Sequence, residues 1–239
     1  MITLPIFQSA ERYTVNPSKI IALGLNYREH IAEHNTLHVR GFTGALPKEP
    51  VLFPKTPNVL IGPEEPIIIP AFLQDYGFEA LRVDYEAELA FIIKDRCKNV
   101  PAADAMDHIL GFTCMNDVSQ RNIQRSDESG WFRGKSLDTF GPIGPQIVLT
   151  EAIGDPQNLR ISCRLNGKTV QESNTGLMIF SIPEILAFIS KNFTLEPGDL
   201  ILTGTPAGVG PLQEGDMIEV EIEKIGALRN PVDSGSRVN

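Results

Sequence analysis

Short apolar runs separated by proline and glycine follow one another along most of the chain. They predict buried strands over 19–24, 109–117 and 199–203, brief strands and turns over 51–70, and an alternating strand over 217–222. Because these runs outnumber the amphipathic helical patterns, the sequence favours a strand-rich α+β fold with many loops.

Helices are predicted where a capping residue precedes a helical pattern. Ser181 and Glu184 form a capping-box pattern ahead of apolar positions at helical spacing, and Asn26 is placed to cap a short helix. Further short helices are predicted over 101–108 and 118–127. These helices are few and short, in keeping with a mostly β fold.

The loops and the ends of the chain complete this outline. Asn166-Gly167 is typical of a type I′ turn between two strands. The polar stretch 35–50 is predicted to be a lid, and the proline-rich region that follows is the best seam between parts of the chain. We therefore predict a small N-terminal region with its lid over 1–70 and a β-roll core over 71–239, with a frayed tail after Ala227.

The segment Val83–Ile93 carries the main candidate chemistry. As a strand it places Asp84, Glu86 and Glu88 on one face, while the residues that follow are apolar on both faces. Carboxylates side by side at the mouth of a core must take up protons or face a cation. The alternative is an edge strand whose acidic face is solvated.

Asp117 adds a further carboxylate at the end of the strand predicted over 109–117. With Glu86 and Glu88 it would give three hard oxygen ligands without a Cys or His cluster, a set that favours Mg²⁺, with Mn²⁺ or Ca²⁺ possible, over zinc. Such a set leaves coordination positions for substrate or water, as a Lewis-acid site requires.

Histidines on the first predicted helix offer a base. His30 and Glu33 are three residues apart, so the carboxylate can orient the imidazole and raise its basicity for the deprotonation of water. The intervals of four between His30, His34 and His38 also invite a zinc site. Gly41 and the broken pattern around it favour an ordinary helix surface instead.

The glycine-rich loop 204–210 does not predict nucleotide binding, because it lacks the Gly-Lys-Ser/Thr ending of a phosphate-binding loop. Its backbone amides and the Thr205 hydroxyl are instead expected to reach a substrate carboxylate or carbonyl.

Charge and composition narrow the classes of function. The chain has 239 residues, a net charge of −9 and a pI near 5.0, and no basic stripe, so nucleic acid and anionic membranes are not expected partners. Three scattered cysteines do not suit a disulfide framework. The sequence also shows neither a signal-peptide pattern nor a membrane-length apolar run, which predicts a cytoplasmic protein.

Five motifs together resemble, in order and over residues 19 to 222, the fumarylacetoacetate hydrolase family. They are Gly24-x-Asn26-Tyr27-x-x-His30-x-x-Glu33, Asp84-Tyr85-Glu86-x-Glu88-Leu89, Asn116-Asp117-Val118-Ser119, Gly134-Lys135-Ser136-x-Asp138-Thr139 and Gly204-Thr205-Pro206-x-Gly208-Val209-Gly210.

This resemblance implies a rolled, mixed-sheet α+β fold, a homodimer, and Mg²⁺ or Mn²⁺ held by two glutamates and an aspartate. The residues that match the family's site are Glu86, Glu88 and Asp117 for the metal, His30 with Glu33 as the lid dyad, Lys135 as the active-site lysine, and Thr205, with Gly204 beside it, as the substrate contact. Arg121 and Gln124 lie where related members place polar substrate contacts.

One position departs from the family pattern. Leu25 stands where many members carry arginine, so a contact to a substrate carboxylate is missing or is supplied by Arg28. The resemblance implies a metal-dependent hydrolase that cleaves a C–C bond in an acylpyruvate or related β-diketo acid through a metal-held pyruvate enolate. The alternatives are an oxaloacetate decarboxylase, a 2-hydroxyhepta-2,4-diene-1,7-dioate-type isomerase, and a non-enzymatic protein that binds keto acids.

Overall fold

The computed structural model describes residues 2–37, with side chains through Glu33, together with residues 45–128 and 130–235. Strands predominate. They are β1 (Ile2–Pro5), β2 (Arg12–Val15), β3 (Ile20–Gly24), β4 (Val51–Lys55), β5 (Leu60–Ile61), β6 (Ile67–Ile69), β7 (Val83–Tyr85), β8 (Ala87–Ile93), β9 (Ile109–Asn116), β10 (Ser119–Gln120), β11 (Gly141–Leu149), β12 (Arg160–Leu165), β13 (Lys168–Asn174), β14 (Leu200–Leu202), β15 (Gly210–Pro211), β16 (Met217–Ile222) and β17 (Gly226–Ser234).

The helices are short. The α-helices are α1 (Arg28–Leu37), α2 (Arg121–Ser126), α3 (Phe132–Lys135), α4 (Thr150–Ile153) and α5 (Ile182–Asn192), and 3-10 turns cover Pro57–Val59, Ala71–Tyr76, Ala102–His108 and Thr175–Leu177. The capping box of Ser181 and Glu184 opens α5 as predicted. At the predicted hairpin turn Asn166 and Gly167 both have positive φ, 51° and 78°, as a type I′ turn requires.

Two mixed sheets form the body of the fold. The larger has the strand order β4-β3-β14-β8-β9-β11-β5 and the smaller has the order β13-β12-β16-β17-β6. Most neighbours are antiparallel, while β3 and β14, β5 and β11, and β6 and β17 pair in parallel. The predicted mostly β, rolled α+β class is confirmed.

Strand β8 lies at the centre of the larger sheet and is buried along its whole length. Leu89 and Phe91 belong to the larger hydrophobic cluster, which also takes in β12, β16 and α5, whereas Ala90 and Ile92 belong to a second cluster with β3 and β14. Both faces of β8 therefore pack against apolar residues, as its sequence predicts.

The predicted strand over 83–93 is interrupted at Glu86. Its N–H donates to the side-chain Oδ1 of Asn116 and its carbonyl accepts from the N–H of Asp117, both at 2.9 Å. This local break separates β7 from β8, and it ties Glu86 to the end of β9.

Three further sequence predictions are wrong in detail. Asn26 does not cap α1, because its amide bonds the backbone of Phe180 and Thr203 instead. The helix predicted over 118–127 begins at Arg121, after β10. The tail after Ala227 is not frayed through Ser234, because this segment is a strand paired with β16 and β6.

The division between 1–70 and 71–239 stays a prediction, and strands from both sides of residue 70 share the two main sheets. Strands β3, β4 and β5 belong to the larger sheet, and β6 belongs to the smaller. The centre of the predicted lid, residues 38–44, lies outside the described residues.

Candidate metal centre and active site

Three carboxylates meet where β8 begins and β9 ends. Antiparallel pairing of Ala87 with Asn116 brings Glu86 and Glu88 beside Asp117. All three residues are buried, and one oxygen of each lies within 4.8 Å of the other two. The structure thus brings together the three predicted metal ligands.

Lysine ammonium groups neutralise part of this charge. Nζ of Lys135 lies 2.6 Å from Oε2 of Glu86 and 2.6 Å from Oδ2 of Asp117, and it sits 4.9 Å from the ring centroid of Phe53. Nζ of Lys55 donates to Oδ1 of Asp117 at 2.6 Å and to the backbone carbonyl of Lys135. Both lysines are buried, so they are part of the site's electrostatics.

A buried arginine links the cluster to Asp84. The guanidinium of Arg121 donates to Oε1 of Glu86 at 2.5 Å, to Oδ2 of Asp84 at 2.8 Å and to Oε1 of Gln124 at 2.9 Å. Asp84 also accepts from Nε of Arg82 at 2.8 Å. Asp84 therefore holds Arg121 in place and lies outside the three-carboxylate cluster.

The two glutamates are in opposite electrostatic situations. Burial raises the pKa of Glu86, but Lys135 and Arg121 outweigh it and hold that pKa well below the ordinary value. Burial, followed by the charges of Asp117 and Glu86, raises the pKa of Glu88 well above it. Only one of the two therefore has enough cationic partners to be ionised readily.

Glu88 also has an unsatisfied oxygen. Its Oε2 accepts from the N–H of Gly204 at 2.7 Å, whereas its buried Oε1 has no hydrogen-bond partner in the described part of the chain. A buried carboxylate oxygen that lacks a donor, beside two further carboxylates, matches the donor set of a hard divalent cation. The residues present therefore fit Mg²⁺ or Mn²⁺.

His30 and Glu33 form the predicted pair on α1. Nδ1 of His30 lies 3.2 Å from Oε2 of Glu33, and the same oxygen accepts from the N–H of Gly208 at 3.1 Å. Although burial raises the pKa of Glu33, these hydrogen bonds lower it overall. Glu33 is thus an anion that orients a buried imidazole. The alternative zinc site would need the side chains of His34 and His38, which lie outside the described residues.

These groups face a small pocket. Its polar wall consists of His30, Glu86, Arg121, Gln124, Lys135 and Thr205, and its apolar wall includes Leu23, Leu25, Phe53 and Trp131. A base, cations and one of the cluster carboxylates therefore border the same space. That arrangement can polarise a bound carbonyl compound and move a proton beside it.

Three of the predicted substrate contacts lie in different surroundings. Arg28 is exposed and lines another surface pocket with Leu177 and Met178, so its contact with a substrate carboxylate stays a prediction. The N–H of Gly204 donates to Oε2 of Glu88 at 2.7 Å, so this amide is already occupied by a cluster carboxylate. The Thr205 hydroxyl does border the pocket, and it accepts from Nε2 of Gln171 at 2.9 Å.

Lys55, Phe53 and Trp131 also belong to the site, although no sequence motif predicted them. Lys55 is the one charged residue of the short apolar strand β4, and Trp131 is the one tryptophan of the chain. Both were visible signals of an unusual environment. Their place in the site depends on β4 lying beside β3 in the larger sheet, which no local pattern predicts.

The chain is similar to known proteins along most of its length. The family model described as fumarylacetoacetate (FAA) hydrolase C-terminal matches residues 19–233. A mitochondrial oxaloacetate tautomerase from Xenopus laevis is 44% identical over 225 residues, which cover 91% of this chain and 66% of that protein.

Two solved structures extend the comparison. A 5-carboxymethyl-2-hydroxymuconate delta-isomerase from Mycobacterium smegmatis superimposes with a TM-score of 0.79 at 42% identity, covering 92% of this chain and 78% of the other. A fumarylpyruvate hydrolase from Pseudomonas aeruginosa, solved with Mn²⁺ and pyruvate, gives a TM-score of 0.84 at 26% identity, covering 98% and 96%. In the described part of the present chain, no helix combines the length and apolarity needed to cross a bilayer.

Proposed function

Since this chain belongs to the fumarylacetoacetate hydrolase family, we propose that it is a divalent-metal-dependent enzyme that hydrolyses a C–C bond in an acylpyruvate or a related β-diketo acid. The observation that carries the proposal is that His30, which is paired with Glu33, and Glu86 of the carboxylate cluster border one pocket. A water-activating base and a cation site are the two parts that such a hydrolysis needs.

Glu86, Glu88 and Asp117 would hold the cation, for which Mg²⁺ is the first candidate and Mn²⁺ or Ca²⁺ the alternatives. When bound, it would supply Lewis-acid chemistry to the oxygens of the keto acid. The unsatisfied Oε1 of Glu88 is the feature of the chain that most directly supports this assignment. A divalent cation at this site would also stabilise the ionised form of Glu88, whose pKa is raised without it.

The proton transfer is assigned to His30. With Nδ1 paired to the Glu33 carboxylate, the imidazole would take a proton from water at Nε2 as that water attacks the distal carbonyl carbon. Breakage of the adjacent C–C bond then releases a carboxylic acid, and the bonding electrons leave with the pyruvate fragment. The fragment becomes pyruvate when it takes up a proton.

Cationic side chains would hold the developing negative charge. Lys135 and Arg121 line the pocket and are fixed by Glu86, so their positions change little as charge develops. Thr205 also lines the pocket and would contact the substrate there. The amides of Gly204 and Gly208 bond Glu88 and Glu33, so they position the machinery and are not assigned to the oxyanion.

A second candidate is keto–enol isomerisation or decarboxylation of a keto diacid such as oxaloacetate or a hydroxymuconate-type compound. It is favoured by the relatives named a tautomerase and an isomerase, which are 44% and 42% identical, against 26% for the hydrolase. The same pocket would serve, because removal of a proton or of CO₂ also leaves negative charge beside the keto-acid oxygens.

The two candidates are separated by product analysis. Purified protein is incubated with acetylpyruvate, oxaloacetate and a hydroxymuconate-type diacid, with Mg²⁺ or with EDTA. Formation of acetate and pyruvate from acetylpyruvate supports hydrolysis, whereas loss of the enol absorbance without cleavage supports isomerisation. Turnover that is indifferent to EDTA would contradict both candidates.

A further inference from the structure

A second group of metal-ligating side chains lies at the opposite end of the β8–β9 pair from the carboxylate cluster. Asp95 and Cys97 follow β8, and His108 ends the 3-10 turn that precedes β9. One ligand atom of each residue lies within 4.8 Å of the other two. Strand β8 has seven residues, so at about 3.4 Å per residue the two clusters are roughly 24 Å apart.

We propose that Asp95, Cys97 and His108 form a second metal site that binds Zn²⁺ through a carboxylate, a thiolate and an imidazole. Sulfur and nitrogen donors select zinc, whereas the all-oxygen cluster selects Mg²⁺ or Mn²⁺. Three protein ligands leave the fourth tetrahedral position for water. This site is independent of the proposed enzymatic reaction.

The backbone that carries the three ligands is already fixed. Cys97 and Leu195 exchange two backbone hydrogen bonds, of 3.0 Å and 2.9 Å, and the N–H of Lys94 donates to the carbonyl of His108 at 2.8 Å. Ile93 pairs with Ile109 directly beside them. Binding would therefore order side chains on an existing frame, which lowers its entropic cost.

The side chains need only a small rearrangement. Nδ1 of His108 lies 2.6 Å from Oδ1 of Asp95, while two ligands of one tetrahedral zinc ion are separated by about 3.3–3.7 Å. Their hydrogen bond must therefore open by roughly 1 Å and be replaced by bonds to the metal. The thiol proton of Cys97 leaves to solvent as the bond between zinc and sulfur forms.

Exposure gives the metal a route of entry. The Cys97 residue is 6% exposed, whereas the side chains of His108 and Asp95 are 29% and 50% exposed. The thiolate would thus lie on the protein side of the ion, with the other two ligands and the water toward solvent. A metal held there would pin both ends of the connection between β8 and β9.

Cobalt is the probe of choice, because a bond between Co²⁺ and a thiolate gives a near-ultraviolet charge-transfer band that an all-oxygen site cannot produce. Metal-free protein is first given excess Mg²⁺ to occupy the carboxylate cluster and is then titrated with Co²⁺. We expect the band to saturate at about one equivalent of Co²⁺ per chain and to disappear when Zn²⁺ is added.

The variants test the ligand assignment. Cys97→Ser is expected to abolish the band, while Cys163→Ser, which changes another buried cysteine on β12, keeps it. Because loss of even an outer partner weakens metal binding by about 10–100-fold, Asp95→Asn should weaken Co²⁺ binding by at least about tenfold. Asp95 is half exposed, so this variant is expected to fold.

Two results would overturn the site. One is the absence of a thiolate band in the unaltered protein, which does not depend on the folding of any variant. The other is a band that survives in Cys97→Ser or is lost in Cys163→Ser.

Discussion

Nζ of Lys55 donates a 2.6 Å hydrogen bond to Oδ1 of Asp117, and neither side chain has any exposed area. The same ammonium bonds the backbone carbonyl of Lys135. One buried charge on β4 therefore fixes both the third carboxylate of the cluster and the helix that carries the pocket lysine.

Replacement of Lys55 by methionine tests this relationship. The variant keeps the length of the side chain but leaves Asp117 without one of its two cations, and breaking a buried pair costs about 3–5 kcal/mol of unfolding free energy. Urea unfolding of the metal-free protein measures the loss. Arg96→Met, which removes an exposed ion pair with Glu196, is the control and should cost less than about 1 kcal/mol. A Lys55→Met protein as stable as this control would contradict the prediction.

Glu88→Gln and Glu86→Gln should separate stability from metal binding. Glutamine resembles a protonated glutamate, the form that the raised pKa of Glu88 favours, so Glu88→Gln should change the unfolding free energy by less than about 1 kcal/mol. Glu86→Gln removes the negative charge that pairs with Lys135 and Arg121. It should therefore lower the unfolding free energy by about 3–5 kcal/mol.

Both glutamate variants should nevertheless bind Mn²⁺ more weakly, by more than about 100-fold, because each lacks one of three proposed ligands. Calorimetric titration with Mn²⁺ measures this. If Glu88→Gln bound Mn²⁺ as the unaltered protein does, Glu88 would not be a ligand.

The His30–Glu33 pair makes a prediction about rate. If His30 is the base, His30→Ala should lower kcat for C–C hydrolysis by about 10²–10⁴. Glu33→Gln retains the shape of the side chain but removes the charge that orients the His30 imidazole. It should lower kcat by about tenfold or more. Glu29→Gln, on an exposed position of the same helix, should leave kcat unchanged. If His30→Ala hydrolysed the substrate as fast as the unaltered protein, His30 would not be the base.

Asp199 predicts a pH dependence of stability. Its buried carboxylate accepts from Nζ of Lys19 at 2.5 Å, from Oγ of Ser18 at 2.6 Å and from the N–H of Glu196 at 2.8 Å. Burial raises its pKa, but these donors lower it overall, below the usual 3.8. As pH falls, Asp199 is therefore protonated in the unfolded chain before it is protonated in the folded protein. The stabilisation is complete above the usual pKa and is lost as pH falls through the lower pKa of the folded protein.

Asp199→Asn should thus lower the unfolding free energy by about 2–4 kcal/mol near pH 7. The difference from the unaltered protein should shrink toward about pH 3 and below. Urea unfolding across this range measures it, with the exposed Asp107→Asn as a control. A difference that stays constant with pH would show that the carboxylate charge is not the cause.

Local chemistry accounts for the parts of the fold that the sequence predicts. The Asn166-Gly167 turn, the Ser181 capping box and the doubly apolar β8 each depend on residues next to one another in the chain. Asn26 shows the limit of such reasoning. Its amide suits a helix cap in isolation, but the backbone of Phe180 and Thr203, brought near by the sheet, offers more hydrogen bonds.

The same distinction holds at the site. Glu86 and Glu88 are two residues apart, and Asp117 ends a recognisable strand, so their meeting follows from a single antiparallel pairing. Lys55 lies on β4, which β3 and β14 separate from β8 in the sheet, so its contact with Asp117 does not follow from one strand pairing. That order is set by packing over the whole chain, so a lone lysine in an apolar segment gave no sign of its partner.

The parallel pairing of β6 with β17 has a consequence for biosynthesis. Ile67 aligns with Val232 and Ile69 with Ser234, so the partner of β6 in the smaller sheet is made only after most of the chain has left the ribosome. Until then a strand of three isoleucines has an open edge in the nascent chain. Pairing over such a long sequence separation is slow, so molecular chaperones that shield this edge should raise the yield of folded protein.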